Sequence, residues 1–134
     1  MKILVAEDDE VSSWLLAETL AGLGHEVVTV RDGGKAWSAF RKTRYDVVIS
    51  DWRRPHDDKP DEPAGIGLLH ELQDHKIQVP VVFYHGKVGQ EELANRRKLA
   101  LSNGAIGTTG SPGELLEMTA GALVQGAMRS EAQP

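Results

Sequence analysis

Short aliphatic runs that stop on acidic or polar residues, separated by helix-patterned stretches, constrain this chain more than any other feature of its sequence. Ile3-Leu4-Val5-Ala6 runs into Glu7-Asp8-Asp9, Val47-Val48-Ile49-Ser50 runs into Asp51, and Val79 to Tyr84 runs into His85. None of these runs alternates, so each reads as a strand buried on both faces, the mark of a parallel sheet covered by helices. From Glu10 to Leu23 the residues Val11, Trp14, Leu15, Leu16, Leu20 and Leu23 fall at three-and-four spacing, which predicts a helix ended by Gly22 and Gly24. His25 to Val30 predicts a second strand, and Asp32 is placed to cap a helix carrying Ala36, Trp37 and Phe40. Ile66, Leu68, Leu69 and Leu72 mark a third helix, Glu91 to Leu101 a charged fourth, Ala105 to Thr109 a fifth strand and Glu114 to Met128 a last helix. Trp14, Trp37 and Phe40 lie on apolar helical faces and are expected to pack on the sheet.

Five strands alternating with helices predict an α/β fold of the flavodoxin-like, doubly wound kind. Its five-stranded parallel sheet has the order 2-1-3-4-5, with helices on both faces. At 134 residues and 40% hydrophobic content there is material for one core, so a single domain is expected over 1–128 with a frayed tail over 129–134. The net charge of −5 disfavours a nucleic-acid or anionic-membrane partner. With no cysteine, thiol catalysis and Cys-based metal sites are excluded. No apolar run is long enough for a membrane span or a leader, and a cytoplasmic location is the expectation. Trp52 to Pro63, with three prolines and many charges, predicts a long exposed loop that is either a lid or a solvated charge run. Ser111-Pro112-Gly113-Glu114 has the spacing of a helix capping box.

In folds of this class ligands gather outside the carboxyl ends of the strands, where the strand order reverses. Asp8 and Asp9 follow strand one and Asp51 follows strand three, which are neighbours in the expected order. Carboxylates pressed together repel, so either one of them takes up a proton or a hard divalent cation such as Mg²⁺ sits among them. An aspartate beside that cation can attack a phosphoryl group, and Asp51 is the natural nucleophile. Asp9 also precedes the first helix and could serve as its cap, a reading that leaves the other two acids unexplained.

At this point the chain resembles a response regulator receiver domain of two-component signalling. The residues that carry the likeness are Ile3 to Asp9, Asp46 to Asp51 with Pro55 four residues on, Pro80-Val81-Val82, Gly104-Ala105 and Pro112. The resemblance implies phosphorelay signalling rather than an enzyme. Asp51 would accept a phosphoryl group from a histidine kinase or phosphotransfer protein, and Asp8, Asp9 and Asp51 would hold Mg²⁺ together with the backbone carbonyl of Arg53. The signal would leave through contacts with a further protein, and a second copy of the chain, as a homodimer, is among the candidate partners.

Several positions depart from the family pattern. The hydroxyl residue at the end of strand four aligns with His85, the lysine before the last helix with Ser111, and the aromatic switch of strand five with Thr108. His85 and Lys87 are the candidates for replacing the lost phosphoryl contacts; the plainer reading makes one a strand-end residue and the other a solvated charge. The loop after Asp51 is about six residues longer than the family pattern, and the fourth helix, carrying Arg96-Arg97-Lys98, about one turn longer. These departures keep one rival alive, a pseudo-receiver that binds a partner without phosphorylation; the acids at the ends of parallel strands leave a second, less favoured one, a metal-dependent phosphatase.

Overall fold

Each aliphatic run becomes a strand because its backbone finds a parallel neighbour on both sides or lies at a protected edge. In the computed structural model the order is β1 (Lys2–Ala6), α1 (Glu10–Gly22), β2 (Glu26–Val30), α2 (Gly33–Lys42), β3 (Val47–Ser50), α3 (Ala64–Asp74), β4 (Val81–Tyr84), α4 (Gln90–Ser102), β5 (Gly107–Thr109) and α5 (Pro112–Ala132). Residues 1–54 and 57–125 are described with their side chains, and the backbone of α5 continues to Ala132. Pro55 and the expected tail over 129–134 therefore fall outside the fully described residues. All pairings are parallel and the sheet order is β2-β1-β3-β4-β5, as expected. No helix among the described residues is long and apolar enough to cross a membrane.

Alternation along β1 and β3 divides the core into two layers. Ile3, Val5, Val47 and Ile49 face α1 and α5, where Leu20, Leu115, Ala122 and Leu123 close over them. Leu4, Ala6 and Val48 point the other way, against Ala36 of α2, Ile66, Leu69 and Leu72 of α3 and Ala100 of α4. Asp32 caps α2 by accepting from the Lys35 amide at 2.7 Å. Ser111 Oγ accepts from the Glu114 amide at 3.3 Å, while the Ser111 amide donates to Thr109 Oγ1 at 3.0 Å, so one half of the capping box is present.

Two expectations are corrected. Trp14 does not pack on the sheet: it is 61% exposed, and Val11 and Leu15 beside it are exposed too. The face of α1 turned inward carries Ser13, Leu16, Ala17 and Leu20 instead, and small residues there let the helix lie close to the strands. Trp37 and Phe40 are half-buried: Trp37 lies against His75 with ring centroids 3.8 Å apart, and Phe40 meets Tyr45 edge-on at 5.3 Å. Among its described residues the 52–63 loop is also only partly the exposed charge run that its composition suggests: Arg53, Lys59 and Asp61 are exposed, but other parts turn inward. Trp52 and Arg54 are buried, Asp58 Oδ1 accepts from the amides of Arg54 and Ala64 at 3.1 and 2.7 Å, and Lys59 and Glu62 form an isolated bridge. Asp58 thereby ties the loop to the start of α3, a helix whose own cap residue, Pro63, offers no side-chain acceptor.

That first turn of α3 lies directly on the end of β3. A Cβ on Gly65 would stand 2.5 Å from the Asp51 carbonyl oxygen and 2.8 Å from Phe83 Cε1, and the Gly65 amide donates to the Trp52 carbonyl at 3.1 Å. Gly65→Ala is therefore expected to lose about 2 kcal/mol or more, since backbone cannot yield to the methyl group. Gly121→Ala, in open space on α5, is expected to gain about 0.5–1 kcal/mol. Urea melts of the two variants check both signs.

Candidate functional site at the carboxyl ends of β1 and β3

The ladder itself assembles the site. Ala6 pairs with Ser50, and the Asp51 amide donates to the Ala6 carbonyl at 2.9 Å, so the first residues beyond β1 lie against the first residue beyond β3. Asp51 is 6% exposed, at the floor of a cleft of about 370 Å³ whose walls include Glu7, Trp52, His85 and Arg96. Its Oδ2 accepts from the Asp8 amide at 3.4 Å. Glu7, Asp8 and Asp51 each offer a carboxylate oxygen, and these atoms lie within 4.8 Å of one another.

The structure departs from expectation at Asp9. Its Oδ2 accepts from the Ser12 amide at 2.8 Å, it is the cap of α1, and the Ser12 hydroxyl together with that amide holds its carboxyl below the usual range. Its place in the acid group is taken by Glu7, whose Oε1 accepts from the Asp9 amide at 3.1 Å. The signal for this was present in the sequence: with Glu10 opening the helix, Asp9 falls on the cap position, which leaves the two residues directly after the strand to face the cleft.

Electrostatically the acids are in tension. Burial pushes the Asp51 carboxyl up to about 7; Arg54 opposes the rise, while Glu7 and Asp8 add to it. Burial also raises Glu7, reinforced by the charges of Asp8 and Asp9, although the Asp9 amide counters it. An all-oxygen donor set that resists carrying its own charge suits a hard divalent cation.

Of the residues expected to replace lost phosphoryl contacts, His85 lines the cleft and Lys87 does not. His85 Nδ1 lies 2.7 Å from its neighbour Gly86's carbonyl oxygen, and burial lowers the ring's affinity for a proton. Lys87 is exposed. The cation beside Asp51 is Arg54, and Arg53 and Arg96 line the cleft; the sequence reading singled out none of these side chains for this role. Arg54 has a side chain 2% exposed, with Nε 3.5 Å from Asp51 Oδ1. Arg96 lines the cleft from α4, lies over the Trp52 ring at 5.5 Å and pairs with Glu92 at 2.8 Å. The basic cluster on α4 is thus divided: Arg96 faces the cleft, Arg97 approaches Glu114 at 3.9 Å and Lys98 is exposed. Of the two aligned relay positions, Thr108 is buried in β5 and Ser111 caps α5.

Residues 3–118 match the sequence profile of the response regulator receiver domain. The chain is 29% identical over 99 residues to the transcriptional regulatory protein RprY of Bacteroides fragilis, covering 74% of this chain and 39% of that protein. It is 31% identical over 104 residues to the sensor histidine kinase RcsC of Salmonella typhimurium, covering 78% of this chain and 10% of RcsC. To the chemotaxis protein CheY homolog of Campylobacter jejuni it is 27% identical over 107 residues, covering 77% of this chain and 78% of the homolog. The chain thus spans two-fifths or less of RprY and RcsC. Among solved structures, Vibrio cholerae CheY4 superposes with a TM-score of 0.75 at 24% identity, over 91% of this chain and 98% of CheY4. NtrX of Brucella abortus superposes with a TM-score of 0.81 at 26% identity, over 98% of this chain and 29% of NtrX.

A carboxyl raised from 3.8 to about 7 means that the folded chain holds a proton that the unfolded chain has released. Its stabilising contribution is complete below pH 4 and is lost as the pH rises toward 7. Melting temperature without divalent ions is expected to fall from pH 5 to pH 8 more steeply in the natural protein than in Asp51→Asn. Mg²⁺ at pH 8 is expected to raise it in the natural protein alone.

Proposed function

This chain belongs to the response regulator receiver domain family, and from that premise we propose that it accepts a phosphoryl group on Asp51 and signals through protein contacts. A histidine kinase or phosphotransfer protein is the donor in this reading. The observation that carries it is the position of Asp51: a nearly buried carboxylate at the floor of an open cleft, with Glu7 and Asp8 within reach.

Glu7, Asp8 and Asp51 would hold Mg²⁺, with the Arg53 carbonyl as a further oxygen ligand; Asp9, engaged as a cap, is outside this set. When bound, the ion screens the negative charges that meet during transfer. An ionised oxygen of Asp51 attacks phosphorus, the bond from phosphorus to the donor's imidazole nitrogen breaks, and the electron pair departs with the imidazole. The result is an acyl phosphate on Asp51. The Asp8 amide, already directed at Asp51, helps to orient the carboxylate.

Ser111, not a lysine, stands directly before Pro112, and of the two arginines that line this cleft, Arg53 and Arg96, the cation assigned to face a phosphoryl group is Arg96, whose side chain is 14% exposed against 60% for Arg53. Its guanidinium has planar donors suited to phosphate oxygens, and leaving Glu92 and Trp52 for that group would carry strain into α4. The donor's helix finds a surface on α1: Val11, Trp14 and Leu15 are exposed, and Ser12 of the same turn lines the cleft.

Incubation with acetyl phosphate and Mg²⁺ is expected to add one phosphoryl group to the natural protein and none to Asp51→Asn, read by intact mass. Absence of the gain would instead favour a partner-binding pseudo-receiver. Arg96→Gln is expected to weaken the affinity for beryllofluoride by about tenfold, the scale of one charge-assisted hydrogen bond. An unchanged affinity would remove Arg96 from the phosphoryl site.

A further inference from the structure

Arg54 is an arginine taken almost wholly out of water, and its guanidinium is a cation. A buried charge of that kind needs anions close by. Two carboxylates stand at equal range: Nε is 3.5 Å from Asp51 Oδ1 and 3.5 Å from Asp57 Oδ2. Nη2 donates to the Ala64 carbonyl at 3.2 Å. The backbone is fastened as well, since the Arg54 carbonyl accepts from the amides of Asp57 and Asp58, both at 2.8 Å. Asp57 Oδ2 also accepts from the Gly33 amide at the start of α2, at 3.0 Å. The guanidinium is therefore tethered beside Asp51 and not free to swing into solvent.

The two oxygens of Asp51 meet different groups: Oδ2 accepts from the Asp8 amide, and Oδ1 lies beside Arg54. We infer that Arg54 is a tethered counter-ion that competes with a divalent cation for Asp51 and so sets how tightly Glu7, Asp8 and Asp51 hold that cation. The inference rests on the reading of those three acids as the metal-holding set. Its physics is Coulombic. One positive charge at salt-bridge distance offsets one of three negative charges, and it repels an arriving divalent ion through poorly screening protein. Asp57 tunes the effect in the opposite direction: because it shares the guanidinium, its charge loosens the hold on Asp51.

Titration calorimetry with Mg²⁺ on the full chain at pH 9, well above the value of about 7 to which burial raises Asp51, tests this. Arg54→Met is expected to lower the dissociation constant by about tenfold, in line with removal of one nearby like charge. Asp57→Asn keeps an acceptor for the Gly33 amide and leaves Arg54 to Asp51 alone, so its dissociation constant is expected to rise several-fold. Asp61→Asn takes the same charge from an exposed point of the same loop and is expected to change it less than twofold. Unchanged or weaker binding by Arg54→Met, in protein shown to be folded by circular dichroism, overturns the inference. If that variant does not fold, Asp57→Asn decides, and unchanged or tighter binding overturns it. Normal binding by the natural protein with neither variant effective overturns this inference alone. No binding by any of the proteins overturns the metal reading along with it.

Discussion

The parallel pairing of β1 with β3 is the contact on which the rest depends. These strands are far apart in the chain, yet Ile3 to Ala6 align with Val47 to Ser50, and the Asp51 amide continues the ladder by donating to Ala6. Side chains alternate along a strand, so a slip of one residue would exchange the two core layers. The same slip would carry Asp51 away from Glu7 and Asp8. The hydrophobic layers on both sides of the sheet hold this register, and the acid group is a consequence of it.

Packing of apolar surface thus forces together charges that repel. The protein answers with two arginines in different roles. Arg54, sealed beneath Asp51 by the loop and the first turn of α3, is a permanent neighbour of the acid. Arg96, on the cleft wall, is held by a surface carboxylate and an indole face, contacts that are easier to exchange. The loop that supplies Arg54 is built to keep it in place, with Asp57 and Asp58 bonded inward to the starts of α2 and α3. Tension of this kind is characteristic of sites that act on charged groups, where environment shifts protonation and binding together.

Much of this was legible in the sequence, for identifiable reasons. Strands buried on both faces appear as unbroken aliphatic runs, and the acids that follow them mark the end of the sheet where ligands bind. The facing of α1 was not legible. Apolar residues occur around most of its circumference, so periodicity selects a helix without selecting a side, and Trp14 emerged in solvent. From the sequence Asp9 reads both as a metal ligand and as the helix cap while Glu7 is given no role, because three consecutive acids look alike and only the fold shows which two face the cleft. Composition made the 52–63 loop appear solvated, yet Arg54 and its carboxylates turn inward. Charge alone does not say whether a partner waits on the inside.

What the sequence determined by itself is the alternation of buried strands and helices, hence the doubly wound sheet and the placement of Asp51 at its carboxyl edge. Those follow from local pattern, because a backbone with continuous apolar side chains has few ways to satisfy both its hydrogen bonds and its need for burial. Only the tertiary structure decided which acids meet, which arginines attend Asp51 and which apolar stripe remains exposed. These depend on distances between segments separated by tens of residues, and a shift of one helical position or a few ångströms reverses the sign of an electrostatic contact without altering the pattern that folds the chain.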